Sequence, residues 1–292
     1  MSSLAATGVR IPLLKSKKRR RFWFMFLVYF ILGSAGLVVL FPLYWAVTTA
    51  LKTVPESLRF PPVWWPSVLH WENFPKALAD MNFWNCLKNT VWITSWCVLG
   101  QMLSSSLAAY GFARFRFPGR NALFLATLGT IMIPFHVLII PRFVLFKMLG
   151  MNNTFWPLIL PQLFAGPFNV FLLRQFFMTI PLEMDDAARM DGCGSWGIFW
   201  RIIMPLSKPA LGIIAVFTFM REWRDFLGPL IYLSSEVKYT LALGLNAFRH
   251  QYFIEWNWLL AAAVVVMIPP VLVFFIAQRY FIQGIVFTGV KG

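Results

Sequence analysis

Apolar residues dominate six stretches of the chain, at about 22–50, 89–113, 123–146, 156–177, 210–233 and 258–281. Each has at least the roughly 20 residues a helix needs to cross a bilayer. The first is longer, so it is expected to tilt or to extend beyond the membrane. Lys15, Lys17, Lys18, Arg19, Arg20 and Arg21 abut its start. The positive-inside rule then makes residues 1–21 a basic cytoplasmic tail and 22–292 one membrane domain. The first run is about twice the length of a signal-peptide core and no small-residue cleavage site follows it, so it reads as an anchor. The pattern predicts an all-α polytopic membrane protein with six transmembrane helices and both termini in the cytoplasm.

The runs differ in what they can pack against. Ser104, Ser105, Ser106, Ala108, Ala109 and Gly111 let neighbours approach the second run closely, as in a packed interior helix. Pro134 and Pro141 interrupt the third run, Pro161 and Pro167 the fourth. Such breaks persist in a membrane where neighbours or a cavity satisfy the freed carbonyls. The segment up to about residue 88 contains Pro55, Pro61, Pro62 and Pro66, which predict an irregular outer loop, and Trp64, Trp65, Trp71 and Trp84, which suit a membrane interface. A second outer loop passes Glu236 and Glu255.

The fifth run carries Arg221, Glu222, Arg224 and Asp225. Counted from Pro209 at ~1.5 Å per residue, they lie roughly 18 to 24 Å along a helix, within the bilayer. Each charge facing lipid there would cost about 2.5 to 3.5 kcal/mol, so the group should face the bundle interior, a partner subunit or water. At 100° per residue a continuous helix places Phe217, Arg221, Arg224, Asp225, Gly228 and Tyr232 on one face, a candidate substrate path. Arg221 and Asp225 have the i,i+4 spacing of an ion pair. Mutual neutralisation of the four charges in a packed interior is the competing reading.

Between the fourth and fifth runs lies a polar loop, about 181–209. Pro181 suits a first helical position, Glu183, Asp185 and Asp186 place negative charge in the first turn, and Gly192 can close that helix in a left-handed conformation. Ser195 is expected to cap a second helix carrying Trp196, Phe199, Trp200 and Ile203 on one side, before Pro205 and Pro209 end it. Asp186-Ala187-Ala188, three residues, Gly192, nine residues, then Ile202-Ile203-Met204-Pro205 resembles the Glu-Ala-Ala loop of ABC importer permeases, with Asp186 where Glu is usual and Met204 where Leu is usual. The stretch from Ala109 to Arg120 resembles the same place in the sugar branch of that family. Glu222-Trp223-Arg224-Asp225-Phe226 resembles its Trp-Asn-Asp/Glu-Phe stretch, with Arg224 in place of Asn.

Composition fits this class. With 59% hydrophobic residues in 292 and a net charge of +15, the basic excess would suggest nucleic acid in a soluble protein. Here 16 of the 26 basic residues fall on the inner side and 8 on the outer, so the charge reports membrane orientation and no nucleic-acid partner is expected. Cys86 should lie near the outer face, Cys97 inside the bilayer and Cys193 in the cytoplasmic loop, so none pair. The chain has no Gly-Lys-Ser or Gly-Lys-Thr phosphate loop and no His-Glu-x-x-His zinc motif, so it is not expected to be an enzyme.

The resemblance implies the shorter permease subunit of a maltose-type carbohydrate importer in the cytoplasmic membrane. Glu183, Asp186, Ala187, Ala188, Gly192, Ile202 and Pro205 would then couple it to an ABC ATPase dimer, which binds ATP and Mg while this chain holds no cofactor or metal. The other implied partners are a second permease subunit, an extracytoplasmic solute-binding protein, membrane lipid, and a sugar or oligosaccharide. Arg224 would suit an anionic one, since a guanidinium matches a carboxylate with two parallel hydrogen bonds. The alternative is an ion-gradient-driven secondary transporter using Glu222 or Asp225. It leaves the loop spacing without purpose, and no internal repeat is evident.

Overall fold

Helix α4 (Phe83–Arg114) is the element on which the others assemble, packing along its length against α8 (Pro167–Thr179) and α12 (Lys208–Trp223). The computed structural model describes residues 13–248 and 254–289. The first part of the expected basic tail and the last three residues lie outside the described residues. Helix α1 spans Leu13–Ala50, so it runs through the basic cluster as well as the apolar run. Its 38 residues extend about 57 Å. Short helices α2 (Val54–Ser57) and α3 (Asn73–Asp80) lead to α4. Then come α5 (Arg120–Gly129), a 3₁₀ turn, α6 (Phe135–Met148), α7 (Trp156–Ile159), another 3₁₀ turn and α8. The polar loop holds α9 (Leu182–Met190), α10 (Ser195–Ile198), a π-helical turn (Phe199–Ile203) and α11 (Met204–Leu206). Helix α12, α13 (Leu227–Tyr232), α14 (Leu241–Gly244) and α15 (Trp256–Gly289) complete the chain.

By length and apolarity three helical stretches among the described residues can cross a membrane: Arg19–Ala50, Trp156–Thr179 and Trp256–Gln278. Two bent pairs raise the count to five, α5 with α6 across a 96° bend and Ser195–Leu206 with Lys208–Trp223 across 76°. The second expected span, α4, has 32 residues, but Lys88, Asn89, Gln101 and Ser104 to Ser106 make it less apolar than those stretches. Its polar groups are turned inward: Asn89, Thr90, Gln101, Ser105 and Ser106 are all buried.

The proline-rich segment between α1 and α4 is more ordered than its prolines suggest. Asn73 donates from Nδ2 to the carbonyls of Ala50 (2.8 Å) and Lys52 (2.9 Å), capping the end of α1. Lys52 is buried over the Trp45 ring and donates to the Val63 carbonyl. Apolar side chains gather in separate layers along α4. One joins Ala109, Tyr110, Phe177, Phe199 and Ile203, and another joins Phe83, Cys86, Trp223, Ala261 and Ala262. All three cysteines are free.

Gly100 marks the closest approach of α4 to the broken fourth span. A Cβ there would lie 2.7 Å from Leu163 Cδ2 and 2.9 Å from the Gln162 carbonyl oxygen, whereas one at Gly111 would meet nothing within 4 Å. Gly100→Ala is therefore expected to destabilise the protein by about 1–3 kcal/mol, since backbone must move. Gly111→Ala should be neutral or stabilising by up to ~1 kcal/mol, as helix propensity dictates. Thermal unfolding of the two variants in detergent checks the contrast, and equal shifts would count against this packing.

Candidate functional site

The polar loop is attached to the C-terminal end of α4 at three points. Tyr110 donates from its hydroxyl to the Ser195 carbonyl (3.0 Å), and Arg114 donates from Nη2 to the Ile180 carbonyl (2.9 Å). Arg114 Nε also lies 3.0 Å from Asp185 Oδ2, with both side chains almost wholly buried. That contact is ionic, without the alignment of a directed hydrogen bond. Burial pushes the Asp185 carboxyl above its ordinary range, and Arg114 and Arg189 pull it back in part.

The residues around this anchor divide by exposure. Asp185 and Ala188 are the buried face of α9, whereas Glu183, Asp186 and Ala187 are exposed, together with Leu182, Met184 and Met190. Asp186 pairs with Arg189 at 3.1 Å on the surface, an interaction worth little to stability. Gly192 has φ +82°, and α9 ends in a Schellman arrangement. Gly192 N donates to the Arg189 carbonyl (3.0 Å) and Cys193 N to the Ala188 carbonyl (2.8 Å). Two expectations need correction. Pro181 precedes the helix, which starts at Leu182, and Gly194 rather than Ser195 occupies the cap of α10. The π-helical turn changes the register, so Phe199 and Ile203 are buried while Trp196 and Trp200 are exposed. Ile202 is partly buried and Pro205 exposed.

The fifth span is not one continuous helix. Helix α12 ends at Trp223 and α13 begins at Leu227. Pro229 explains the break, since its ring excludes a helical carbonyl four residues earlier, at Asp225, and it has no N–H to donate. Asp225 Oδ1 instead accepts from Gly228 N (3.1 Å), starting α13. The single expected face is therefore dispersed. Arg221 and Asp225 line a common cavity, but Phe217 lies against Phe168, Tyr232 stacks on Phe143, and Gly228 is buried in α13. Arg224 is exposed at the end of α12 and does not line the cavity. The expected Arg221–Asp225 pair is also replaced: Arg221 Nε meets Glu222 Oε1 at 2.7 Å, and its Nη2 donates to Gln162 Oε1 at 2.6 Å.

The cavity itself, of about 600 Å³, opens where three spans break. Gln101 of α4, Phe135 and Arg142 of α6, the unwound stretch from Pro161 to Pro167, and Arg221, Glu222 and Asp225 line it. Gln101 satisfies the unwound backbone. Its Nε2 donates to the carbonyls of Gln162 (3.0 Å) and Phe164 (2.9 Å), and its Oε1 accepts from Gly166 N (3.1 Å) and Asn169 Nδ2 (2.8 Å). A polar chain thus runs from Asn169 through Gln101 and Gln162 to Arg221 and Glu222. Gln101, Gln162 and Arg142 are not among the residues the sequence reading singles out. Each is a polar residue within a mostly apolar run, although Gln101 is one of several such residues in α4.

Residues 101–286 match the family described as the binding-protein-dependent transport system inner membrane component. The chain is 37% identical over 258 residues to the arabino-oligosaccharide transport system permease AraQ of Halalkalibacterium halodurans, covering 87% of this chain and 92% of that protein. It is 34% identical to the sn-glycerol-3-phosphate transport system permease UgpE of Yersinia enterocolitica, covering 86% of this chain and 92% of that one. Among solved structures, a chain of a bacterial ABC transporter that imports the acidic polysaccharide alginate shares the fold. Its TM-score is 0.79 at 22% identity, over 95% of this chain and all of that one.

The buried pair yields a prediction. Arg114→Met should cost about 3–5 kcal/mol by leaving Asp185 charged and unpaired, while Arg114→Met combined with Asp185→Leu should recover most of it. The single variant's deficit should shrink as pH falls. A carboxyl whose native pKa is raised binds its proton more tightly in the folded state, so stability is gained toward acid and lost as pH rises through that range. Thermal unfolding at pH 5 and pH 8 measures both effects.

Proposed function

The chain belongs to the family of binding-protein-dependent transport system inner membrane components, and from that membership we propose that it carries a sugar or oligosaccharide through the cavity at its span breaks. It is a permease subunit of an ABC importer. In the proposed mechanism a pair of ATPase subunits binds ATP and Mg and docks on the exposed face of α9 and α10. Their closure moves the loop, and the spans reopen toward the outside to accept sugar from a solute-binding protein. A second permease subunit completes the path. This chain performs no covalent chemistry and holds no cofactor of its own. Both termini would lie in the cytoplasm, as the basic cluster at 15–21 favours.

One observation carries this reading: the helix that fixes the loop also lines the cavity. Tyr110 and Arg114 hold the loop at one end of α4, and Gln101 holds the unwound fourth span further along it. A force applied to the loop therefore reaches the cavity through one packed helix. Exposed Met184, Met190 and Trp196 beside Glu183 and Asp186 supply an apolar and acidic docking face. The ion-gradient reading has less support. Both carboxylates it needs are engaged, Glu222 by Arg221 and Asp225 by the Gly228 amide.

The test uses the assembled complex in vesicles. Uptake should survive collapse of all ion gradients by ionophores and stop without ATP; the reverse would establish the ion-driven reading. Replacing Gly192 with Val forces a branched side chain into a left-handed conformation, which costs more than about 1–2 kcal/mol. That variant, and Asp186→Lys, should leave ATP hydrolysis running while uptake falls by more than about tenfold, a loss of some 1.4 kcal/mol in coupling. Normal uptake by an assembled Gly192→Val complex would refute the coupling role.

A further inference from the structure

Four charged side chains line the cavity, and three have defined partners. Arg221 is paired with Glu222 at 2.7 Å and also bonded to Gln162, and Asp225 accepts from the Gly228 amide. Arg142 has no ion-pair or hydrogen-bond partner among the described residues. Its guanidinium lies 5.9 Å from the centre of the Phe135 ring, a contact that steadies the cation through the ring face and leaves its N–H groups unused. It sits in the middle of α6 within the apolar run Phe-His-Val-Leu-Ile-Ile-Pro-Arg-Phe-Val-Leu-Phe, where a charge persists only if it faces protein, water or a ligand. Here it faces the cavity.

We propose that Arg142 is the specificity-determining cation of the cavity and selects a substrate that carries an oxyanion, carboxylate or phosphate, on a polyol. The proposal rests on the carbohydrate-permease reading and deepens it. A planar guanidinium with a free N–H edge matches either oxyanion with two parallel bonds. Arg221 is less available, because an incoming anion would have to compete with Glu222 for it. Asp225, in the same wall, offers carboxylate oxygen to the hydroxyls of the polyol and repels an anion placed beside it, whereas the Gln162 oxygen is already taken by Arg221 and Gln101. Discrimination thus arises from one unsatisfied cation beside a neutralised pair. It also moves anion recognition away from Arg224, which lies outside this cavity.

The experiment measures ATP-driven uptake by the whole complex, reconstituted with its binding protein, of three probes: a tetrasaccharide of uronic acid, sn-glycerol 3-phosphate and a neutral pentose tetrasaccharide. The wild type should take up one of the anionic probes, and which one distinguishes carboxylate from phosphate. Arg142→Gln should lower the ratio of anionic to neutral uptake by at least about tenfold, the loss expected for one charge-assisted contact. Arg142→Lys, which keeps the charge without the fork, should fall between the two. Uptake of the neutral probe alone by the wild type would overturn the proposal. So would an equal loss of both substrate classes, an unchanged ratio, or a loss that follows Arg224→Asn instead. If Arg142→Gln does not assemble, Arg142→Lys decides: a raised KM for the anionic probe supports the proposal, and an unchanged one overturns it. Failure to take up any probe with ATP would refute the transport reading itself, a result distinct from these.

Discussion

A peptide group that loses its helical partner inside a bilayer must find another, and in this protein that requirement falls largely on Gln101. One side chain from α4 donates to the carbonyls of Gln162 and Phe164 and accepts from the amide of Gly166, at the point where the fourth span unwinds. Unpaired, each of these groups would cost about 1–3 kcal/mol. With them satisfied, the unwound backbone can stand open and line a polar cavity instead of closing into a continuous helix. Gly100, the preceding residue, allows the approach that brings Gln101 within reach.

The same helix ends in the anchor for the polar loop. Arg114 pairs with Asp185 in a buried contact and caps the Ile180 carbonyl, while Tyr110 packs at a tilt against Phe199 and bonds to Ser195. This leaves the opposite face of α9 unencumbered, with its acidic and apolar side chains exposed. A buried ion pair is a weak source of net stability but strongly disfavours alternative dockings, because separating it strands a charge. That property suits an element proposed to transmit motion without changing its seat.

The helical class and the position of the loop were legible in the sequence because they rest on long, repetitive signals: apolar runs, flanking arginines, and one spaced motif. The left-handed turn at Gly192 was legible too, since few other residues adopt it without strain. The charged face in the fifth span was not. Helical periodicity was extended through Arg224 and Asp225, whereas Pro229 ends α12 first and sends the two arginines to different surroundings. The choice of Asp185 over Asp186 as the buried acid depends on where Arg114 lies, a contact between segments about 70 residues apart. Arg142 and Gln101 carry their meaning only once three broken spans are brought together.

The central claim is that the loop and the cavity move as one mechanism through α4. A direct measurement places spin labels at Phe135→Cys and Phe164→Cys, which line the cavity from α6 and from the link before α8, with Cys86, Cys97 and Cys193 replaced by Ser. Their separation is then read by pulsed electron resonance in the assembled complex, with and without trapped ATP. ATP is expected to change the distance by more than about 2 Å, and Gly192→Val to abolish the change. A distance that stays fixed while the labelled complex transports would contradict it.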